Sequence, residues 1–269
     1  MRELVMLGTG NAMVTRCFNT AFYIQMEDGE IFLTDGRGGN GILRQLEFAG
    51  ANFKNIHHLF LTHGHTDHIL GVIWVIRKIA SLMNAGKYEG VFTVYTHDVA
   101  KDMLLTMCKL TLKAKDFDNI GKNIIIREIK DGEELELLNM KLTAFDIESK
   151  KAKQFGYRLD FADGLRLCCL GDEPYNPICE KYAKGVHWLL SEAFCMYEDR
   201  EIFKPYEKNH STVKDASEIA EKLQVKNLVL YHTEDKDMER RKEKYTSEAK
   251  KYYTFGNVFV PDDLEVLAL

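Results

Sequence analysis

The stretch LTHGHTDHIL (residues 61–70) places three histidines and an aspartate within the six positions 63–68. It follows an apolar run, NIHHLF (55–60), and leads into ILGVIWVIRKIASLMNAG (69–86). The first segment is typical of a buried strand, and the second is long and apolar enough to predict a largely buried helix. The histidine cluster is therefore predicted to lie at a strand-to-helix junction.

The spacing inside the cluster indicates metal binding. His63 and His65 are two residues apart, so their side chains point to the same side of an extended segment and can share one ion. Asp67 and His68 then lie at the start of the helix, where they are free to hold a second ion. Two ions about 3.5–4 Å apart can hold a bridging hydroxide and stabilise both ends of a displacement at phosphorus or carbon.

Strand and helix signals alternate on both sides of this junction. The strand-like runs form two batches, each associated with helices, and no proline-rich or serine-rich linker divides the chain. We therefore predict a single domain over residues 1–269 of the α/β (α+β) class, an αββα four-layer sandwich with its loops gathered along one edge. The expected strands are 3–10, 21–26, 30–36, 55–62, 92–97, 123–129, 141–147, 155–161, 165–172, 187–194 and 226–235, and the expected helices are 40–50, 69–86, 98–114 and 211–225.

Composition narrows the class of protein. The formal net charge of −5 argues against a broad basic surface for nucleic acid. Three local basic runs (109–115, 148–154 and 239–251) are expected to be solvated, although the lysines of the second could also attract an anionic substrate. No stretch approaches the roughly 20 apolar residues that span a bilayer, so we expect no membrane association and a cytoplasmic location. The six cysteines show no C-x-x-C spacing and are interpreted as reduced residues without a metal role.

The H-x-H-x-D-H motif after a strand resembles the signature of the metallo-β-lactamase-fold hydrolases. The chain is most similar to ribonuclease Z-like members, and the match runs over nearly its whole length. The segments that carry it, in the order those proteins use, are LGTGNAMVTRCFNT (7–20), LTDGRGG (33–39), LFLTHGHTDHILG (59–71), FGYRL (155–159), LGD (170–172), SEAF (191–194), NHST (209–212) and LVLYHTED (228–235). The core motif is very specific, whereas LGD or NHST alone would be weak.

The resemblance implies a role for each matching residue. His63 and His65 would bind the first metal ion, Asp67 and His68 the second, with Asp172 as the bridging carboxylate and His232 as the last ligand of the second ion. Asp67 would also help to orient the attacking hydroxide. Two divalent ions are expected, with zinc favoured and manganese or iron as alternatives.

Two further residues match the family outside the ligand set. His210 resembles the ribonuclease Z histidine that assists catalysis, so it would protonate a leaving oxygen or steady a phosphate. Asp35 resembles a carboxylate that orients a metal-bound imidazole.

The family pattern breaks at the third histidine of the first metal. The corresponding loop, TAFDIESKKAKQFGYRL (143–159), contains no histidine. Glu148 is the nearest replacement, with Asp146 behind it, and a carboxylate there would favour harder ions such as manganese or iron. The long arm with which tRNA-processing relatives grip their substrate is also missing between Thr96 and Gly156.

Two functions remain open at this point. The first is a dinuclear metal hydrolase that attacks a phosphodiester with a metal-bridging hydroxide, on a small anionic substrate such as a small or cyclic nucleotide, or on a single-stranded RNA end. The second is a non-hydrolytic member that keeps a degraded metal site for ligand binding. Because Asp172, His210 and His232 are all present, we favour the first. Relatives of this kind often dimerise, so a homodimer is expected.

Overall fold

The computed structural model describes all residues from 1 to 269, and the chain forms two compact units. The first unit contains Met1–Gly8, Phe18–Ile129 and Asp263–Leu269, and the second contains Thr9–Cys17 and Lys130–Asp262. The single domain over 1–269 stays a prediction.

The first unit is built on a seven-stranded sheet with the order β14-β1-β2-β3-β4-β5-β6. From β14 to β3 the neighbours are antiparallel, and from β3 to β6 they are parallel. Strands are numbered along the chain, and those of this sheet are β1 (Glu3–Gly8), β2 (Ala21–Gln25), β3 (Ile31–Thr34), β4 (Ile56–Phe60), β5 (Phe92–Thr96), β6 (Ile124–Glu128) and β14 (Val266–Ala268).

Four helices accompany this sheet, and the second of them positions the histidine cluster. They are α1 (Gly41–Phe48), α2 (Thr66–Asn84), α3 (Asp98–Thr111) and α4 (Ala114–Phe117). Helix α2 buries Ile69, Val72, Ile76 and Ile79, whose spacing of three to four residues forms one face. These side chains belong to the hydrophobic core of the unit, so α2 is fixed directly behind the metal motif.

The second unit is built on another seven-stranded sheet, with the order β13-β12-β11-β10-β9-β8-β7. Strands β7 to β10 are antiparallel neighbours, whereas β10, β11, β12 and β13 run parallel, so the residues that follow β10, β11 and β12 lie at one edge. The elements are β7 (Glu134–Leu137), β8 (Met140–Asp146), β9 (Phe155–Phe161), β10 (Arg166–Cys169), β11 (Trp188–Glu192), β12 (Asn227–Tyr231), β13 (Asn257–Phe259), α5 (Glu180–Ala183), α6 (Arg200–Phe203), α7 (Val213–Leu223) and α8 (Met238–Ala249).

Most of the predicted elements are present, and the two batches of strands correspond to the two sheets. The structure also contains elements that were not predicted. These are short elements, such as β7, and the last strand β14, which pairs with β1 in the first sheet. The basic run 239–251 forms α8, but its Arg241 is buried rather than solvated. The Arg241 guanidinium donates hydrogen bonds to Thr9 Oγ1 (3.0 Å), Thr233 Oγ1 (2.9 Å) and the Pro261 carbonyl (2.8 Å).

No helix of the chain combines the length and the apolar character that crossing a bilayer requires.

Candidate metal-binding residues

In the first unit the histidine motif lies between the end of β4 and the start of α2. His65 is the N-cap of α2 and is extended, with φ −67° and ψ 153°. His63 Nε2 lies 2.8 Å from His65 Nδ1, so the two imidazoles converge on one side. The His68 ring also lies close to His63, with 4.2 Å between the ring centroids. His63, Asp67 and His68 are buried, and His65 is half-buried.

Asp35 fixes the orientation of this group. Its Oδ2 atom lies 2.7 Å from His68 Nδ1, and its Oδ1 atom accepts a hydrogen bond of 2.8 Å from the Thr62 amide. The Thr62 hydroxyl in turn lies 2.9 Å from His63 Nδ1. Because His68 uses Nδ1 for Asp35, its Nε2 atom faces Asp67 Oδ2 at 3.3 Å. A carboxylate on the far nitrogen of an imidazole is the usual support of a metal-binding histidine.

The two histidines just upstream of the motif have other partners. His57 Nδ1 lies 2.7 Å from Glu30 Oε2, and His58 Nδ1 lies 3.0 Å from the Tyr95 hydroxyl. Burial lowers the pKa of His58 to about 4, so this imidazole is neutral at physiological pH. Both residues therefore have structural contacts that are separate from the motif.

In the second unit the two predicted ligands follow parallel strands of the sheet. Asp172 comes after β10 and His232 after β12, and both are buried. His232 Nε2 lies 3.6 Å from Asp172 Oδ2. The other oxygen of Asp172 accepts a hydrogen bond of 2.6 Å from Gln154 Nε2. The second unit thus brings together an imidazole and a carboxylate at one edge of its sheet.

His210 belongs to the same edge and is supported by Glu192. Its ring stacks on Phe194, with 4.8 Å between centroids and 9° between planes, and its Nδ1 atom lies 3.7 Å from Glu192 Oε2. Glu192 is the last residue of β11 and is fully buried. Burial raises the pKa of the Glu192 carboxyl, while the nearby His210 imidazole and the Ser211 amide act in the opposite direction. Ring centroids of His210 and His232 lie 5.3 Å apart.

Glu148 lies at the surface of the second unit. It has a left-handed backbone, with φ 53°, and its side chain is exposed. It lines a cavity of about 290 Å³ together with Lys150, Glu173 and Asn209. The geometry of the unit gives Glu148 no contact with Asp172 or His232, so its assignment as a ligand stays a prediction.

Sequence reasoning missed Gln154 and Glu192. Gln154 lies four residues before Arg158 of β9, in the loop that lacks the expected histidine. Glu192 is the second residue of the SEAF segment, and a carboxylate that ends a buried strand is a signal that could have singled it out.

The chain is similar in sequence to known proteins over most of its length. The family described as anti-Pycsar protein Apyc1 matches residues 2–253. The ribonuclease Z of Pyrococcus abyssi is 27% identical over 272 residues, which cover 86% of each chain. The ribonuclease Z of Archaeoglobus fulgidus is 25% identical over 310 residues and covers 97% of this chain and 95% of its own.

Solved structures show the fold. The metallo-β-lactamase fold protein YhfI from Bacillus subtilis has a TM-score of 0.79 at 18% identity, with 99% of this chain and 98% of that chain covered. The short form of human tRNase Z has a TM-score of 0.76 at 20% identity over the same shares. A diphosphatase of the PhnP family reaches 0.74 at 19% identity, with 100% and 98% covered. The predicted metallo-β-lactamase fold is confirmed. The chain belongs to the family described as anti-Pycsar protein Apyc1, among the ribonuclease Z-like hydrolases of the metallo-β-lactamase superfamily.

Proposed function

We propose that this chain is a metal-dependent phosphodiesterase that cleaves a small or cyclic nucleotide. The observation that carries the proposal is the buried pair of Asp35 and His68, because a carboxylate that orients an imidazole at 2.7 Å is the arrangement a metal ligand requires. The curated relatives are ribonucleases and one structural relative is a diphosphatase, so these relatives have in common the cleavage of a bond at phosphorus.

We propose two ions for each chain. One would be held by Asp67, His68, Asp172 and His232, and the other by His63, His65 and Asp172. Imidazole nitrogens and carboxylate oxygens suit zinc, and manganese or iron would also accept them. Asp172 serves both ions in this proposal, so the first ion has three protein ligands without Glu148.

Bound divalent ions would supply Lewis acidity and a nucleophile at neutral pH. The residues of the chain would do the rest. Asp67 would orient the attacking water, and Gln154 would hold the Asp172 carboxylate in place through its hydrogen bond. His210, held by Phe194 and facing Glu192, would help to position the phosphate group at the edge of the second sheet.

A small substrate fits the chain better than tRNA does. The residues between Thr96 and Gly156 form α3, α4, β6, β7 and β8 with short connections, and they contain no long protruding arm. The net charge of −5 also gives no general attraction for a polyanion. A single-stranded RNA end remains the second candidate substrate. The homodimer and the cytoplasmic location stay predictions from the sequence.

The experiment is a phosphodiesterase assay on the purified protein loaded with zinc or manganese. We expect hydrolysis of 3′,5′-cyclic nucleotides, and we expect His65→Ala and Asp67→Ala each to lower kcat/KM more than about 100-fold, since even residues that only support a metal ligand are worth about 10- to 100-fold. His57→Ala is the matched control, because His57 contacts Glu30 instead, and it should retain activity. A fully metallated protein that cleaves neither cyclic nucleotides nor short RNA would favour the non-hydrolytic alternative.

A further inference from the structure

The loop in which ribonuclease Z-like relatives carry the missing histidine has a defined conformation. Glu173, which is 5% exposed, accepts hydrogen bonds from the Ser149 hydroxyl (2.5 Å) and from the Lys150 amide (3.2 Å). The same carboxylate accepts a hydrogen bond of 2.6 Å from Asn209 Nδ2. One buried carboxylate therefore ties the loop after β8 to the residue that precedes His210.

A second set of bonds closes the loop on itself. The Ser149 hydroxyl oxygen accepts hydrogen bonds from the amides of Lys151 (3.1 Å) and Ala152 (3.2 Å). At its ends, the Ile147 amide donates a hydrogen bond of 3.1 Å to the Gln154 carbonyl. The backbone that carries Lys151 is thus held at both ends and in the middle.

Lys151 uses this position to reach His210. The residue is exposed overall, but its Nζ atom lies 3.3 Å from His210 Nε2. An ammonium group can only donate hydrogen bonds, so the His210 Nε2 atom is the acceptor in this contact. The other ring nitrogen, Nδ1, lies 3.7 Å from Glu192 Oε2.

The charge of Lys151 is left available by this arrangement. Its hydrogen-bond partner is a ring nitrogen of His210, and no carboxylate of the chain forms an ion pair with its ammonium. The neighbouring ammonium of Lys150 has no contact with His210, although its amide is part of the loop anchor. The loop therefore places the positive charge of Lys151 beside His210, the residue proposed to position the phosphate group.

We propose that Lys151 is a substrate-binding residue, whose ammonium binds a non-bridging oxygen of an anionic phosphodiester. His210 positions this ammonium through its Nε2 atom. This inference rests on the proposed phosphodiesterase function and adds the requirement for a negatively charged substrate. Lysine is a common phosphate ligand and acts as a point charge.

The test compares Lys151→Ala, Lys151→Arg and the control Lys150→Ala in hydrolysis of bis(4-nitrophenyl) phosphate, which is anionic, and of neutral 4-nitrophenyl acetate. We expect Lys151→Ala to lower kcat/KM for the phosphodiester by about 10- to 100-fold, mainly through KM, because one charged hydrogen bond is lost. The neutral ester should be affected less than threefold. Lys151→Arg should recover part of the loss, and Lys150→Ala should change kcat/KM less than about threefold.

A binding measurement separates this inference from the proposed function. Nucleoside 5′-monophosphate is titrated calorimetrically into each metal-loaded variant, with metal content measured alongside. Weaker binding by about tenfold or more in Lys151→Ala alone, at unchanged metal content, supports the anion site even in a protein without turnover. If the wild type cleaves phosphodiesters and Lys151→Ala matches Lys150→Ala in both assays, the inference is overturned while the function stands. If the wild type neither cleaves a phosphodiester nor binds the monophosphate through Lys151, both are overturned.

Discussion

Burial disfavours the charged form of the Glu192 carboxyl. It is fully buried at the end of β11, where its Oε1 atom accepts a hydrogen bond of 2.5 Å from the Ser211 amide and its Oε2 atom faces His210. Desolvation raises the pKa of its carboxyl. A raised pKa means that the folded protein binds this proton more readily than the unfolded chain does, so the carboxylate form costs stability.

The variant Glu192→Gln tests this cost through its pH dependence. The contribution of wild-type Glu192 to stability is fully present below the unfolded pKa of 4.5 and is lost as the pH rises through the raised folded pKa. The glutamine does not titrate, so the free energy of unfolding of the variant, measured relative to that of the wild type, should rise over this window and be constant above it. Urea denaturation of the metal-free proteins at a series of pH values measures the difference.

The same variant should lose activity. The amide no longer places a carboxylate against His210 Nδ1, so the imidazole loses the charge that faces it. We expect kcat/KM to fall by at least about tenfold. The control is Glu218→Gln on α7, whose side chain is 51% exposed, and it should change neither quantity. A Glu192→Gln protein with a flat pH difference would contradict the account of the buried charge.

At the scale of residues, the sequence predicted some members of the candidate site and not others. His63, His65, Asp67 and His68 could be predicted because ligands on one short segment leave a spacing in the sequence. Glu192 and Gln154 could not, because their contacts join different strands and loops of the second unit, and such pairs leave no local pattern.

At the scale of secondary-structure elements, the position of α2 depends on two glycines. Gly36 lies in the loop after β3 and Gly71 lies in α2, and a Cβ atom on Gly71 would stand 1.5 Å from the Gly36 carbonyl oxygen. The backbones are also joined by hydrogen bonds, from the Gly36 amide to the His68 carbonyl (2.9 Å) and from the Gly71 amide to the Arg37 carbonyl (2.8 Å). This close approach brings the loop that carries Asp35 against the start of α2.

Gly71→Ala should therefore disturb both stability and metal binding. The methyl group has no space, so the loop or the helix must shift, and we expect a loss of about 3 kcal/mol or more in the free energy of unfolding. Because the shift moves Asp35 relative to His68, metal affinity should fall as well. Thermal and urea unfolding, followed by metal titration, measure the two effects.

The control for this substitution is Ser81→Ala, at an exposed position of the same helix. It should stay within about 0.5 kcal/mol of the wild type. A Gly71→Ala protein as stable as this control would show that the contact between α2 and the loop is not tight.

Elements with strong local signals were predictable, and elements that depend on tertiary contacts were not. The helix α7 was expected over residues 211–225, and in the structure Thr212 caps it through a capping box with Asp215. Strand β7 was missed because its four residues, ELEL, are too few to show a period. The burial of Arg241 was missed because its partners lie in three separate segments of the chain, one of them at the other end of the sequence.

At the scale of the whole molecule, each unit is formed by segments that are not consecutive in the chain, and the sequence pattern alone does not show this. Residues 9–17 belong to the second unit although Met1–Gly8 belong to the first, and Asp263–Leu269 return to the first unit. Strand β14 pairs with β1 through Glu3 and Ala268, which lie near opposite ends of the sequence. Such non-local pairing has no signature in local periodicity, whereas the division of strands into two batches does.

The candidate ligands are divided between the units in the same way. The first unit supplies the histidine motif with its orienting Asp35, and the second supplies Asp172 and His232 with Gln154. The proposed activity therefore requires ligands from both units to act on the same ions, with Asp172 shared.

Metal content measured by mass spectrometry on Asp172→Ala and the wild type tests this requirement most directly. We expect two divalent ions per wild-type chain after loading with zinc or manganese, and a loss of most of both in Asp172→Ala, whereas His232→Ala should lose chiefly one. A wild-type chain that binds no divalent ion, or an Asp172→Ala chain that retains both, would contradict the shared dinuclear centre.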